Sequence, residues 1–191
     1  MRFLICLLAL GFLAFGCGRP HEYFPLKMGN QWRYKVNTGM DTFIQNSAVS
    51  DVVPGEMGQT YEVSGNLGVN RLAWKDGVLW ASTLGGDRFS PAIPLLDGKK
   101  ESISLTWAGS IYASGRTMKA KGTLVQDKGN VLVDSQKRSA LTTLLTITLP
   151  DRIVIVESSY VRGIGLVNQT QRTTIGSTDR FDRGLEYLGG P

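Results

Sequence analysis

The sequence predicts an all-β fold: a single antiparallel domain with a strongly curved sheet, an open barrel or a sandwich, behind an N-terminal signal peptide. Three observations carry this. Segments that alternate apolar and polar residues recur along the chain, which is the period of a half-buried strand. Turn signals rich in Gly, Pro, Asn and Asp break these segments about every 8–15 residues, the cadence of a sandwich or barrel. No long charged stretch has a helical period, while β-branched and aromatic residues are well represented.

The elements follow in order. Pro25 argues against helix in Tyr23-Phe24-Pro25-Leu26, and Gly29-Asn30 makes a turn. From Gln31 to Thr38, Trp32, Tyr34 and Val36 point one way and Gln31, Arg33, Lys35 and Asn37 the other. Thr42 to Val53 and Gln59 to Asn66 read as the next strands, separated by Pro54-Gly55. Asp76-Gly77 is the strongest local signal, since both residues accept positive φ and so fit a two-residue hairpin turn. That register pairs Trp74 with Leu79 and Leu72 with Ala81, and places Trp80 on the opposite face. Leu84 to Glu101 reads as a Gly- and Pro-bearing loop. Ser102 to Trp107 alternates, with turns expected at Ala108-Gly109-Ser110 and Lys128-Gly129-Asn130. Gly115 and Gly122 read as bends or bulges. Leu141–Leu149, Arg152–Tyr160, Leu166–Thr174 and Arg180–Leu188 complete the strands.

The first 16 residues read as a separate unit. Arg2 precedes an apolar run from Phe3 to Phe15, short of the about 20 residues that a membrane-spanning helix needs. A basic head, a short apolar stretch and the small Gly16 before Cys17 are the pattern of an export signal. An ordinary signal peptide and an uncleaved anchor are the competing readings. Leu13-Ala14-Phe15-Gly16-Cys17 resembles the lipid-attachment site of bacterial lipoproteins, with Phe15 bulkier than that pattern usually carries. The resemblance implies cleavage after Gly16, diacylglycerol on the Cys17 sulfur and an acylated new amino terminus. Several acyl chains anchor a protein stably where one holds it only marginally. Residues 1–16 are then the signal, 17–22 a lipidated tether and 23–191 the β domain. Gly18 after the cysteine, in place of Asp, implies the outer membrane if the cell has two.

Two further phrases resemble a diffuse group of uncharacterised β-rich envelope lipoproteins. One is Tyr23-Phe24-Pro25-Leu26-Lys27-Met28-Gly29-Asn30-Gln31-Trp32-Arg33-Tyr34; the other is Tyr160-Val161-Arg162-Gly163-Ile164-Gly165-Leu166-Val167. The resemblance implies a fold and no activity. Physically, Trp32 and Tyr34 can close one end of a core, and Gly29 and Gly165 suit turns or bulges.

Chemistry is sparse. His21 is the single histidine and lies in the tether, which argues against a histidine triad and, with no second Cys in the mature chain, against zinc. Cys6 falls in the signal, so no intrachain disulfide survives cleavage. Strand, rather than helix, is expected after Gly163-Ile164-Gly165, which argues against nucleotide binding. The formal charge of +5 is mild and no basic cluster interleaves with aromatics, so nucleic acid is not an expected partner and no cofactor is expected. Carboxylate pairs drawn from Glu62, Asp87, Asp134, Glu157, Asp179, Asp182 and Glu186 stay open. Asp179-Arg180-Phe181-Asp182-Arg183 reads as surface ion pairs of little worth.

The expectation is a non-enzymatic envelope protein held to the membrane through Cys17, with a binding or structural role toward an apolar ligand or an envelope protein. One alternative is a carrier or chaperone for a lipid or lipoprotein, with Trp32, Tyr34, Trp74, Trp80 and Trp107 as candidate cavity lining rather than filled core. Another is a carboxylate-dependent hydrolase.

Overall fold

The computed structural model describes residues 20–190. A short 3-10 helix, Pro20–Tyr23, leads into twelve strands. These are β1 (Gln31–Asn37), β2 (Thr42–Gly55), β3 (Gly58–Gly65), β4 (Gly68–Lys75), β5 (Val78–Leu84) and β6 (Asp87–Asp97). They continue as β7 (Ile103–Ala113), β8 (Arg116–Val133), β9 (Gln136–Thr148), β10 (Ile153–Val161), β11 (Gly165–Ile175) and β12 (Thr178–Gly189). Each pairs antiparallel with its neighbours in sequence, and β12 returns to β1, so the sheet closes completely into an up-and-down barrel. Closure removes both open edges. The all-β, curved-sheet expectation holds, with the barrel closed rather than open. Asp76 and Gly77 take positive φ, and β4 and β5 pair Leu72 with Ala81 and Trp74 with Leu79, as the Asp-Gly turn requires.

Three local expectations are corrected. The loop from Leu84 to Glu101 is mostly strand, because Asp87–Asp97 pairs along β5. No turn occurs at Ala108-Gly109-Ser110 or at Lys128-Gly129-Asn130. The ladders of β7, β8 and β9 run through both sites, and the chain reverses at Ser114-Gly115 and Asp134-Ser135, where all four residues have positive φ. Gly109 and Gly129 answer to packing instead. A Cβ on Gly109 would stand 2.5 Å from the Trp107 ring and 2.6 Å from the Ser90 carbonyl oxygen; one on Gly129 would meet Thr142 Cγ2 at 3.1 Å.

That crowding at Gly109 goes with the main irregularity of the barrel. β6 and β7 pair only from Arg88 to Ser90, and Pro91 then removes a ladder donor. Beyond it β6 stays paired with β5 but parts from β7. The Trp107 indole N–H donates to the freed Pro91 and Ala92 carbonyls, each at 3.1 Å. Gln126, fully buried on β8, accepts from the Asp97 N–H and donates to the Asp97 and Lys100 carbonyls. Ile93, Leu96, Trp107 and Leu124 thus fill this part of the interior as solid core. The remaining interior, whose wall takes Phe89 and Leu95 from β6 and Ile111 from β7 beside residues of the other strands, is left for the site.

Candidate functional site

The two resembling phrases lie far apart in sequence and meet at one end of the barrel. Phe24 stacks flat on Trp32, with ring centroids 4.9 Å apart and planes at 9°, and meets Tyr160 edge-on at 6.3 Å. The Trp32 indole N–H donates to the Ile164 carbonyl at 2.7 Å, and the Tyr34 hydroxyl donates to the Leu166 carbonyl at 3.1 Å. Both bonds reach past the intervening β12. Gly165 lies at φ +108°, and a Cβ there would stand 3.0 Å from the Trp32 indole nitrogen. The Gly163 N–H donates to the Glu22 carbonyl, and the Arg162 guanidinium sits 5.2 Å over the Tyr23 ring. The chain entering at Pro20 therefore plugs this end with aromatic rings before β1 begins.

Below the plug lies a cavity of about 380 Å³. Its inner wall is aromatic and aliphatic: Phe24, Trp32, Tyr34, Val63, Leu79 and Leu145 are all lining and all buried. Tyr34 and Tyr160 belong to the same wall and are likewise buried. Burial raises the pKa of both, Tyr160 to about 12, so each stays neutral. At its far end the cavity reaches Gly68 and Gly85, exposed residues at the β3–β4 and β5–β6 turns, and so opens away from the plug. That end is polar, with Asp87, Arg152 and Arg183 in its wall.

Arg183 owes its position to a β-bulge. Gln171 pairs with Arg183 and Arg172 with Phe181, which leaves Asp182 extra on β12. A bulge of this kind turns two successive side chains to one face. Asp182 accepts from Gln171 and Thr173, both in the cavity wall, while Arg183 extends until its guanidinium lies 3.6 Å from where a Gly85 Cβ would be. Arg183 Nε is buried without a hydrogen-bond partner. Burial pulls the pKa of this guanidinium down, with Asp182 and Asp87 opposing. Burial likewise pushes the Asp87 carboxyl above its usual range, with Arg152 and Arg183 opposing. A second buried polar atom without a partner, Gln45 Oε1, belongs to another residue of the cavity wall.

The structure sorts the five candidate aromatics. Trp32 and Tyr34 line the cavity. Trp74 is not in its wall: it packs at the plug, its indole donating to the Phe24 carbonyl at 3.0 Å and its ring edge-on to His21. Trp80 faces outward, beside Arg71, Arg88 and Tyr112 in an external groove. Trp107 belongs to the solid core around β6. Cys17 and Gly16 lie outside the described residues. Among the acidic candidates, Asp87 alone lines the cavity; Glu62 pairs with Arg71 at 2.8 Å and Glu186 with Lys35 at 3.8 Å. The surface-pair reading of Asp179–Arg183 fits Arg180, which sits 3.5 Å from Asp182, and fails for Arg183, because the bulge turns it inward. No sequence signal marked Arg152 or Arg183 as cavity residues.

No protein-family profile matches this sequence, and no curated protein sequence does. Among solved structures, the chain is similar to a candidate lipoprotein from Parabacteroides distasonis, at a TM-score of 0.50 and 10% identity, over 88% of this chain and 98% of that one. A candidate exported protein with a YmcC-like fold from Bacteroides fragilis aligns at a TM-score of 0.41 and 10% identity, over 86% and 96%. The first likeness is one of fold.

Proposed function

We propose that this protein is a non-enzymatic, envelope-held binding protein that takes an apolar ligand into its barrel. The observation that carries the reading is the cavity of about 380 Å³, walled by Phe24, Trp32, Tyr34 and aliphatic side chains. Ligand pockets of this kind run from roughly 300 to 1,000 Å³ and pair an apolar wall with a few convergent polar groups. A barrel whose interior were packed throughout would leave no such space. The envelope part rests on the export signal and on the lipobox resemblance at Cys17, and a fold shared with a candidate lipoprotein agrees with it. Among the described residues, Asp87 is the single carboxylate in the cavity wall.

The test is calorimetric titration of the full-length protein in lipid nanodiscs with 1-decanol, a neutral single-chain probe, against empty nanodiscs. Saturable one-to-one binding is expected, weakened in Val63→Phe, which puts a ring into the cavity and narrows it. Heats that equal those of empty nanodiscs overturn the reading.

A further inference from the structure

The polar end of the cavity has a charge imbalance that its apolar wall does not explain. Two guanidinium groups and one carboxylate face it. Arg152 already holds Asp151, at 3.0 Å. Asp182 is occupied by Thr173, Gln171 and Arg180. Among the described residues no carboxylate lies within ion-pair distance of Arg183, although its Nε is out of contact with solvent. Leaving a buried donor of a charged group without an acceptor costs more than a hydrogen bond returns. Burying a cation is costly too, unless an anion shares the site. Guanidinium offers a planar fork that fits two oxygens of a carboxylate or a phosphate. Arg183 therefore stands as half of a pair, placed where a long ligand leaving the apolar wall would end.

Volume limits the other half of the ligand. A dry cavity of about 150 Å³ holds one benzene ring. The cavity here, at about 380 Å³, is some two and a half times that size and has room for about fifteen carbons, one acyl chain rather than two.

We infer that the ligand is a single-chain amphiphile with an anionic head, a carboxylate or a phosphate monoester, its chain in the aromatic end and its head on Arg183. This deepens the reading of the cavity as a ligand site and rests on it. Asp87 and Arg152 share this end of the wall with Arg183.

The test uses full-length protein in nanodiscs at about pH 8, where a fatty carboxylate is ionised, with decanoate, decyl phosphate and 1-decanol as probes and empty nanodiscs as reference. At least one anionic probe is expected to bind about tenfold or more tightly than decanol, the scale of a charge-assisted hydrogen bond. The comparison of decanoate with decyl phosphate tells which head is meant. Arg183→Met should bring the anionic probe to parity with decanol. Should that variant fail to fold, Asp87→Asn replaces it, and is expected to widen the preference for the anionic probe over decanol. If decanol binds and neither anion binds better, or if these substitutions leave the preference intact, the anionic head is wrong and the apolar site stands. If none of the three probes binds, both readings fall together.

Discussion

Asp87 and Arg183 show how single side chains set the character of the cavity. The Asp87 carboxyl binds its proton more tightly in the folded chain than in the unfolded one, because burial outweighs the two guanidinium groups. Protonation therefore favours the folded state. The stabilising effect is complete below the unfolded carboxyl pKa of about 3.9 and is lost as pH rises through the higher folded value. Asp87→Asn mimics the neutral form. Asp87 is exposed at the cavity mouth, so solvent screens the effect: the variant is expected to melt only slightly above the wild type at neutral pH and to match it in acid, which thermal melts across pH will check. Asp87 was legible in the sequence as one carboxylate among seven. Arg183 was not, since a strict alternation read from Asp179 onward gives no sign that a bulge shifts the face by one residue.

At the scale of elements, the entry segment and β6 shape the interior in opposite ways. Pro20 to Leu26 closes one end, and Phe24 is its main packing residue, 6% exposed and stacked on Trp32. Phe24→Ala should cost about 3–5 kcal/mol, the range for deleting a buried ring, measured by denaturant unfolding. A loss below about 1 kcal/mol would mean that the plug is not part of the folded unit. β6 fills the other part of the interior by leaving β7 at Pro91. The alternating strands were legible because one face is buried and the other wet, as in β1, whose burial alternates without a break. β6 was not, since Pro91 and Pro94 in an apolar run read as loop, and its pairing depends on β5 alone beyond Ser90. The turns placed at Gly109 and Gly129 failed for a related reason. Glycine marks a close approach as readily as a reversal, and only the packing of Trp107 or Thr142 tells which.

For the whole molecule, the chain enters the barrel at its plugged end and the cavity opens at the other. Cys17 precedes the plug by only a few residues. On the proposed anchoring, the barrel stands with its closed end toward the membrane that holds it and its polar opening toward the aqueous side. Its ligand would then arrive from that side rather than out of the bilayer beneath. Cys17→Ala is expected to lose the acyl mass and leave the membrane fraction, read by intact mass and fractionation; a variant that stays in the membrane would contradict the anchor. Occupancy of the interior is read by side-chain methyl NMR of the nanodisc-held protein titrated with decanoate. Saturating ligand is expected to shift the methyl signals of Val63, Leu79 and Leu145 while those of the outward-facing Ile44 and Leu132 stay in place. Shifts confined to Ile44 and Leu132, with the three interior residues unmoved, would contradict it.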